Sequence, residues 1–178
     1  MPVDASVSRN PSPLRRLSGR AARALALGLA LVLAGCAAPD FVPPGAQRQD
    51  VLARLGPPTG RYPLPDGGER LQYSRLPAGR EVFNLDFDAR GVLQSRTQAL
   101  ETRSLYQVQD GWTAADVQRL LGAPSYVGRV ASFDGIVWTY RFLEINNPRL
   151  FHVHIDPSGV VRRLMFADEM RGLDLAPF

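Results

Sequence analysis

The chain has 178 residues and a formal net charge of +4, from 21 basic and 17 acidic side chains, and every basic one is Arg. Residues 1–35 hold five of those Arg and one acid, which leaves a neutral remainder of 16 Arg and 16 acids. A neutral body argues against nucleic acid as the main partner, because phosphate binding needs clustered excess cations. The single Cys excludes an intrachain disulfide and a multi-Cys zinc site, and 45% hydrophobic with 21% charged residues is a globular composition.

Taken in chain order, Arg15, Arg16, Arg20 and Arg23 precede an uncharged run from Ala24 to Gly35 whose apolar part covers residues 24–34. A membrane-spanning helix takes roughly 20 apolar residues, so this run reads as a signal peptide over 1–35. It ends in Leu33-Ala34-Gly35-Cys36, which resembles the lipobox of bacterial lipoproteins. The resemblance implies cleavage before Cys36 and lipid on that residue. Two or more acyl chains make anchoring stable, at about 0.8 kcal/mol per buried CH₂. By the lipoprotein sorting pattern, Ala37 and Ala38 imply the periplasmic leaflet of an outer membrane. Residues 36–44 read as a lipidated tether, because three prolines and no periodicity disfavour regular structure.

The rest repeats itself. Residues 45–58 align with 111–124 at an offset of 66, placing Gly45, Asp50, Val51, Leu55, Gly56 and Pro58 on Gly111, Asp116, Val117, Leu121, Gly122 and Pro124. Among the positions compared, Arg54 against Leu120 differs in kind. Tyr73 meets Tyr140 at offset 67, and Phe83, Asp88, Gly91 and Val92 meet Phe151, Asp156, Gly159 and Val160 at offset 68. Matching through helix, strand and turn predicts a tandem duplication, with units at 45–98 and 99–170 and a tail at 171–178.

Each unit predicts a short amphipathic helix, from Val51 and Leu55 or Val117, Leu120 and Leu121. Thr113 reads as an N-cap with Asp116 in the acid position of a capping box. Gly56 and Gly122 are expected in the left-handed αL conformation, and Pro58 and Pro124 stop the chain from continuing as helix. Three strands follow in each unit, at 69–75, 80–87 and 92–98, and at 136–143, 150–156 and 160–167. Residues 88–91 and 156–159 read as hairpin turns, and a further helix is expected around 101–108. Alternation sets Phe151, Val153 and Ile155 toward a core and His152 and His154 toward solvent. Trp138 and Tyr140 share one strand face and read as core; Trp112 is either a helix staple or an exposed anchor. The expected fold class is α+β, two tandem α(α)βββ units with short helices on one face of antiparallel sheet.

The order Gly111, Asp116, Val117, Leu121, Gly122, Pro124, then Trp138 and Tyr140, then Asp156, Gly159 and Val160 resembles the SmpA/OmlA (BamE-like) outer-membrane lipoproteins. The likeness spans nearly all of 45–167, but this chain carries two units where the namesake has one. Tandem units of this kind also resemble the β-lactamase inhibitor protein in shape. The fold-defining positions are Gly56, Pro58, Gly122, Pro124, Trp138, Tyr140, Asp156 and Gly159.

Chemistry is sparse. His152 and His154 form a weak metal pair with only Glu144 near in sequence, and zinc wants three or four ligands. No Gly-x-Ser-x-Gly is present. Asp88 reads as a turn residue, and Asp86 as the partner of an Arg across the sheet. The expectation is a non-enzyme with no cofactor, metal or small-molecule substrate. It is an outer-membrane-anchored periplasmic interaction module, whose resemblance implies envelope partners such as the β-barrel assembly machinery. The alternative is a periplasmic inhibitor or sensor of one soluble enzyme.

Overall fold

The structure, a computed structural model, describes residues 38–169; Cys36 and the tail 171–178 lie outside them. It is α+β, with short helices and two four-stranded antiparallel sheets. Helix α1 (Arg48–Leu55) is followed by β1 (Gly60–Pro63), β2 (Glu69–Ser74), β3 (Val82–Phe87) and β4 (Leu93–Gln98), which pair in that order. Helices α2 (Thr102–Leu105) and α3 (Ala114–Leu121) precede β5 (Tyr126–Gly128), β6 (Ile136–Glu144), β7 (Asn147–Ile155) and β8 (Val161–Asp168), again paired in order. Among the described residues no helix is long and apolar enough to cross a membrane.

Helix α3 starts where its residues satisfy the first free backbone donors. Thr113 Oγ1 accepts from Asp116 N–H, and the Asp116 carboxylate accepts from Thr113 N–H. The Thr113 hydroxyl, and then the Thr113 N–H, donate to the Asp116 carboxylate and hold its pKa below the usual range. Helix α1 starts at Gln47 without a side-chain cap. Both helices end on glycine, but not in αL: Gly56 has φ 76° and ψ −164°, Gly122 φ 81° and ψ −174°. This corrects the expected conformation toward one that only glycine adopts readily, because any Cβ is crowded there.

Each helix packs on its own sheet. Val51, with Leu52 and Leu55 beside it, meets Leu71, Tyr73, Leu85, Phe87 and Leu93 in the first core. Val117 and Leu121 meet Tyr140, Phe142, Phe151, Val153 and Ile155 in the second, with Trp138 packed at its margin. The same bonds recur in both halves. Tyr73 Oη donates to Gly56 O at 3.1 Å, and Tyr140 Oη to Gly122 O at 2.9 Å; burial pushes both phenol pKa values up. Gln47 bridges Val92 as Thr113 bridges Val160. Bulges fall between Asp86 and Phe87 and between His154 and Ile155. In the turns, Asp88 Oδ1 accepts from the N–H groups of Arg90 and Val92, and Asp156 Oδ1 from those of Ser158 and Val160.

Four features differ from the expectation. Each sheet has a fourth strand, β1 or β5, too short and Gly-flanked to show alternation. The helix expected at 101–108 is the single turn α2, although Leu105 and Val108 are both buried. Part of the supposed tether joins the body: Pro39–Phe41 is a 3₁₀ turn with Pro at its start, and Val42 is buried in the first core. Strands β6 and β7 run on into a hairpin closed by Ile145 and Asn146, both at positive φ (48° and 67°), with Ile145 93% exposed.

Candidate interaction surface

The two sheets can be compared face by face, because cross-strand partners share a side. On the outer face of the first sheet, away from α1, the central rows are Tyr62, Arg70, Asp86 and Ser95, then Gly60, Gln72, Asn84 and Thr97. This face covers the end of α3. Gln72 Nε2 donates to Asn84 Oδ1 at 2.9 Å and approaches Gln118 O at 3.4 Å and Arg119 O at 3.3 Å. Asn84 Nδ2 donates to Leu120 O at 2.8 Å. Tyr62 Oη reaches Gln118 O, and Arg70, held by Asp86 through bonds of 2.6 and 2.8 Å, reaches Arg119 O. The last carbonyls of a helix have no partner within it and carry its negative end; the side-chain donors of the first sheet supply those partners. Val82, on the same face, is fully buried in the second core.

The equivalent face of the second sheet has rows Gly128, Val137, His154 and Arg163, then Tyr126, Thr139, His152 and Met165, then Arg141, Leu150 and Ala167. Thr139 and His152 stand where Gln72 and Asn84 stand. They too are hydrogen-bonded, Thr139 Oγ1 to His152 Nδ1 at 2.9 Å, which leaves Nε2 as the ring nitrogen for a partner. Met165 is 45% exposed and Leu143, farther along the same side of β6, is 48% exposed. No acid stands in these rows. Glu169, at their margin, is bridged by Arg80 and Arg141, and these bonds lower its pKa.

The histidines do not both face solvent, as alternation suggested. His154 is 5% exposed, with Phe133 from the β5–β6 loop edge-on to its ring at 5.0 Å, and its Nδ1 has no partner among the described residues. His152 is half-buried. Burial lowers both pKa values, reinforced by the charge of His154 on His152 and of Arg163 on His154. Alternation separates the two faces of a strand but does not say which faces a loop will cover. Glu144 is paired with Arg149 at 2.7 Å, and among the described residues no three His, Cys, Asp or Glu side chains gather in a metal-binding group. The donor pair Gln72 and Asn84 was missed by sequence reasoning. The available signal was two uncharged amides in strands, Gln72 beside Leu71 and Tyr73 and Asn84 between Phe83 and Leu85.

The body is thus a two-sheet α+β protein whose first sheet buries a polar face against the second half. No protein-family model and no curated protein matches the chain. Three solved structures are similar to parts of it. An osmotically inducible lipoprotein, OsmE, is 23% identical over 39% of this chain and 75% of its own, with a TM-score of 0.32. A DUF4309-family protein from Bacillus subtilis is 16% identical over 70% of this chain and 79% of its own, with a TM-score of 0.28. A cysteine-rich secretory protein from Staphylococcus aureus is 10% identical over 71% of this chain and 44% of its own, with a TM-score of 0.25.

Proposed function

We propose that this chain is a lipid-anchored envelope lipoprotein of the SmpA/OmlA (BamE-like) kind, held at the periplasmic face of an outer membrane through Cys36. Its body acts as a non-catalytic docking module on other envelope proteins, in outer-membrane protein assembly or envelope integrity. The anchor rests on Leu33-Ala34-Gly35-Cys36. The docking role rests on one observation: the sheet face that holds a helix end in the first half carries, at the corresponding place in the second, exposed Arg163, Met165 and Leu143. Paired carboxylates in the body are engaged in structure, Asp86 with Arg70 and Asp156 with Arg162 and its own turn, which supports a role without catalysis.

The test is a pull-down of the tagged full-length protein from detergent-solubilised envelope. A β-barrel assembly component in the eluate supports the reading, and a single soluble enzyme replaces it with the inhibitor alternative. An empty eluate overturns docking.

A further inference from the structure

We infer, resting on the anchor proposed at Cys36, that one end of the body lies on the membrane. There it inserts the apolar tip of the β6–β7 hairpin, together with Phe41, into the lipid surface. Three segments are tied together at that end. Asp40, in the turn that opens the body, accepts from Arg75 of the β2–β3 loop at 3.3 Å. Arg80 of the same loop pairs with Glu169, and Glu169 N–H donates to Pro148 O at 3.1 Å, beside the hairpin tip. Antiparallel pairing puts the turn at 88–91 at the other end of the first sheet, and the turn at 156–159 at the other end of the second. Most of the expected tether belongs to the body, since Pro39–Phe41 is a 3₁₀ turn and Val42 is buried. Cys36 stands two residues before Ala38, a reach of about 7 Å. Lipid attached so close to the body holds this end against the bilayer.

The side chains at this end match a lipid surface. Ile145 and Phe41 are the two most exposed large hydrophobics among the described residues, at 93% and 74%. The β2–β3 loop adds exposed Pro77 and Ala78. Ile145 is also a β-branched residue at φ 48°, a backbone state that such residues rarely adopt. Packing within the body offsets none of that strain, because the side chain points into solvent. Strain of this kind collects where a side chain is kept for contact. Charge says how the contact is made. Arg75 is held by Asp40 and Glu81, Arg80 by Glu169, and Arg149 by Glu144 and Asp168. The attachment is therefore apolar insertion, not attraction of a basic cluster to anionic headgroups.

The full-length, lipidated protein is reconstituted in phosphatidylcholine vesicles, with or without phosphatidylglycerol. Ile145→Cys, Ala78→Cys and Ala89→Cys are each labelled with a thiol-reactive nitrobenzoxadiazole dye; the lipid on the chain's single native Cys leaves its sulfur unreactive. Ala89 lies beyond β3, roughly 20 Å from this end. Lipids spin-labelled near the headgroup should quench the dye at 145 about threefold or more over the dye at 89, as for groups buried roughly 5–10 Å deep. Quenching should be equal in neutral and anionic vesicles. Ile145→Asn relieves the turn and so keeps the fold, yet it should reduce quenching at 78 by about twofold or more. Equal quenching at 145 and 89, quenching confined to anionic vesicles, or quenching at 78 indifferent to Ile145→Asn overturns the inference. So does a dye at 145 that is unquenched in vesicles but shielded in native envelope membranes, which assigns the tip to a protein. A wild-type chain that takes the dye, or that does not float with vesicles, removes the anchor and the inference with it. Flotation with an unquenched tip leaves the anchor standing and removes the contact alone.

Discussion

Tyr73 and Tyr140 close the same hydrogen bond in the two halves of the molecule, whereas Asn84 and His152, also equivalent, meet different neighbours. On the helix side of each sheet the halves share three features: tyrosine to glycine carbonyl, Asp to hairpin turn, bulge to bulge. On the other side they diverge, from Arg70, Gln72, Asn84 and Asp86 to Val137, Thr139, His152 and His154. Each half needs its inner face to fold, so that face is held by the requirements of packing. The outer face answers to whatever lies against it. In the first half that neighbour is α3; in the second it is the loop carrying Phe133 and, by the reading above, a partner.

Substitutions at paired positions test this difference. The largest effect is expected for Leu121→Ala, since Leu121 is fully buried and such changes cost roughly 2–5 kcal/mol. Leu55→Ala should cost less, because Leu55 is only half-buried; equal shifts in melting temperature would contradict the packing described. Next come the helix-ending glycines. Alanine at either must hold a strained backbone, a penalty of about 1–3 kcal/mol. At Gly122 its Cβ would also lie 3.2 Å from Gln72 Oε1 and 3.3 Å from Val82 Cγ1, while at Gly56 nothing lies within 4 Å. Gly122→Ala should therefore unfold at lower urea than Gly56→Ala, and the reverse order would remove the contact between the first sheet and α3.

A smaller contrast is expected at the polar pairs. Asn84→Ala leaves Leu120 O without its donor in a buried setting, worth about 1–3 kcal/mol. His152→Ala should be milder at neutral pH, because among the described residues that ring holds no helix end. Below neutrality the histidines act differently. Their folded pKa values lie under the ordinary 6.5, so the unfolded chain binds more protons over that interval. Stability is then full above about pH 6.5, falls as pH drops through the interval, and levels off below the folded values. Melts from about pH 7 to pH 5 should show this decline, and His152→Gln with His154→Gln should flatten it. An undiminished decline in the double variant would exclude the histidines. The lowered carboxyls of Asp88, Asp116, Asp156 and Glu169 lose their contribution only at more acid pH, as they protonate.

Helices α1 and α3, the six longer strands and the Asp-x-x-Gly hairpins were legible in the sequence, because apolar period, capping residues and turn residues are local signals. Strands β1 and β5 were not, since 60-GRYP-63 and 126-YVG-128 are too short to alternate and exist only by pairing with the next strand. Val42 was hidden among prolines. Of the candidate surface, the sequence placed His152 and His154 on the side opposite Phe151. It could not reveal Phe133 folding over one of them, or α3 lying across Gln72 and Asn84, which are contacts between distant segments.

Ile145 bears on how fast the chain folds. Its hairpin joins the two longest strands, and such a local pairing would ordinarily close early, within about 1–10 μs. The turn instead asks a β-branched residue to hold φ 48°, where Asn or Gly is at ease. Each attempt at closure must therefore wait for a rarely visited backbone state. Ile145→Asn should raise stability by about 1–2 kcal/mol. If the turn is already formed in the transition state, stopped-flow refolding should accelerate while unfolding stays nearly constant. A gain found only in the unfolding rate would show instead that this hairpin closes late, after the second core has gathered around Phe151.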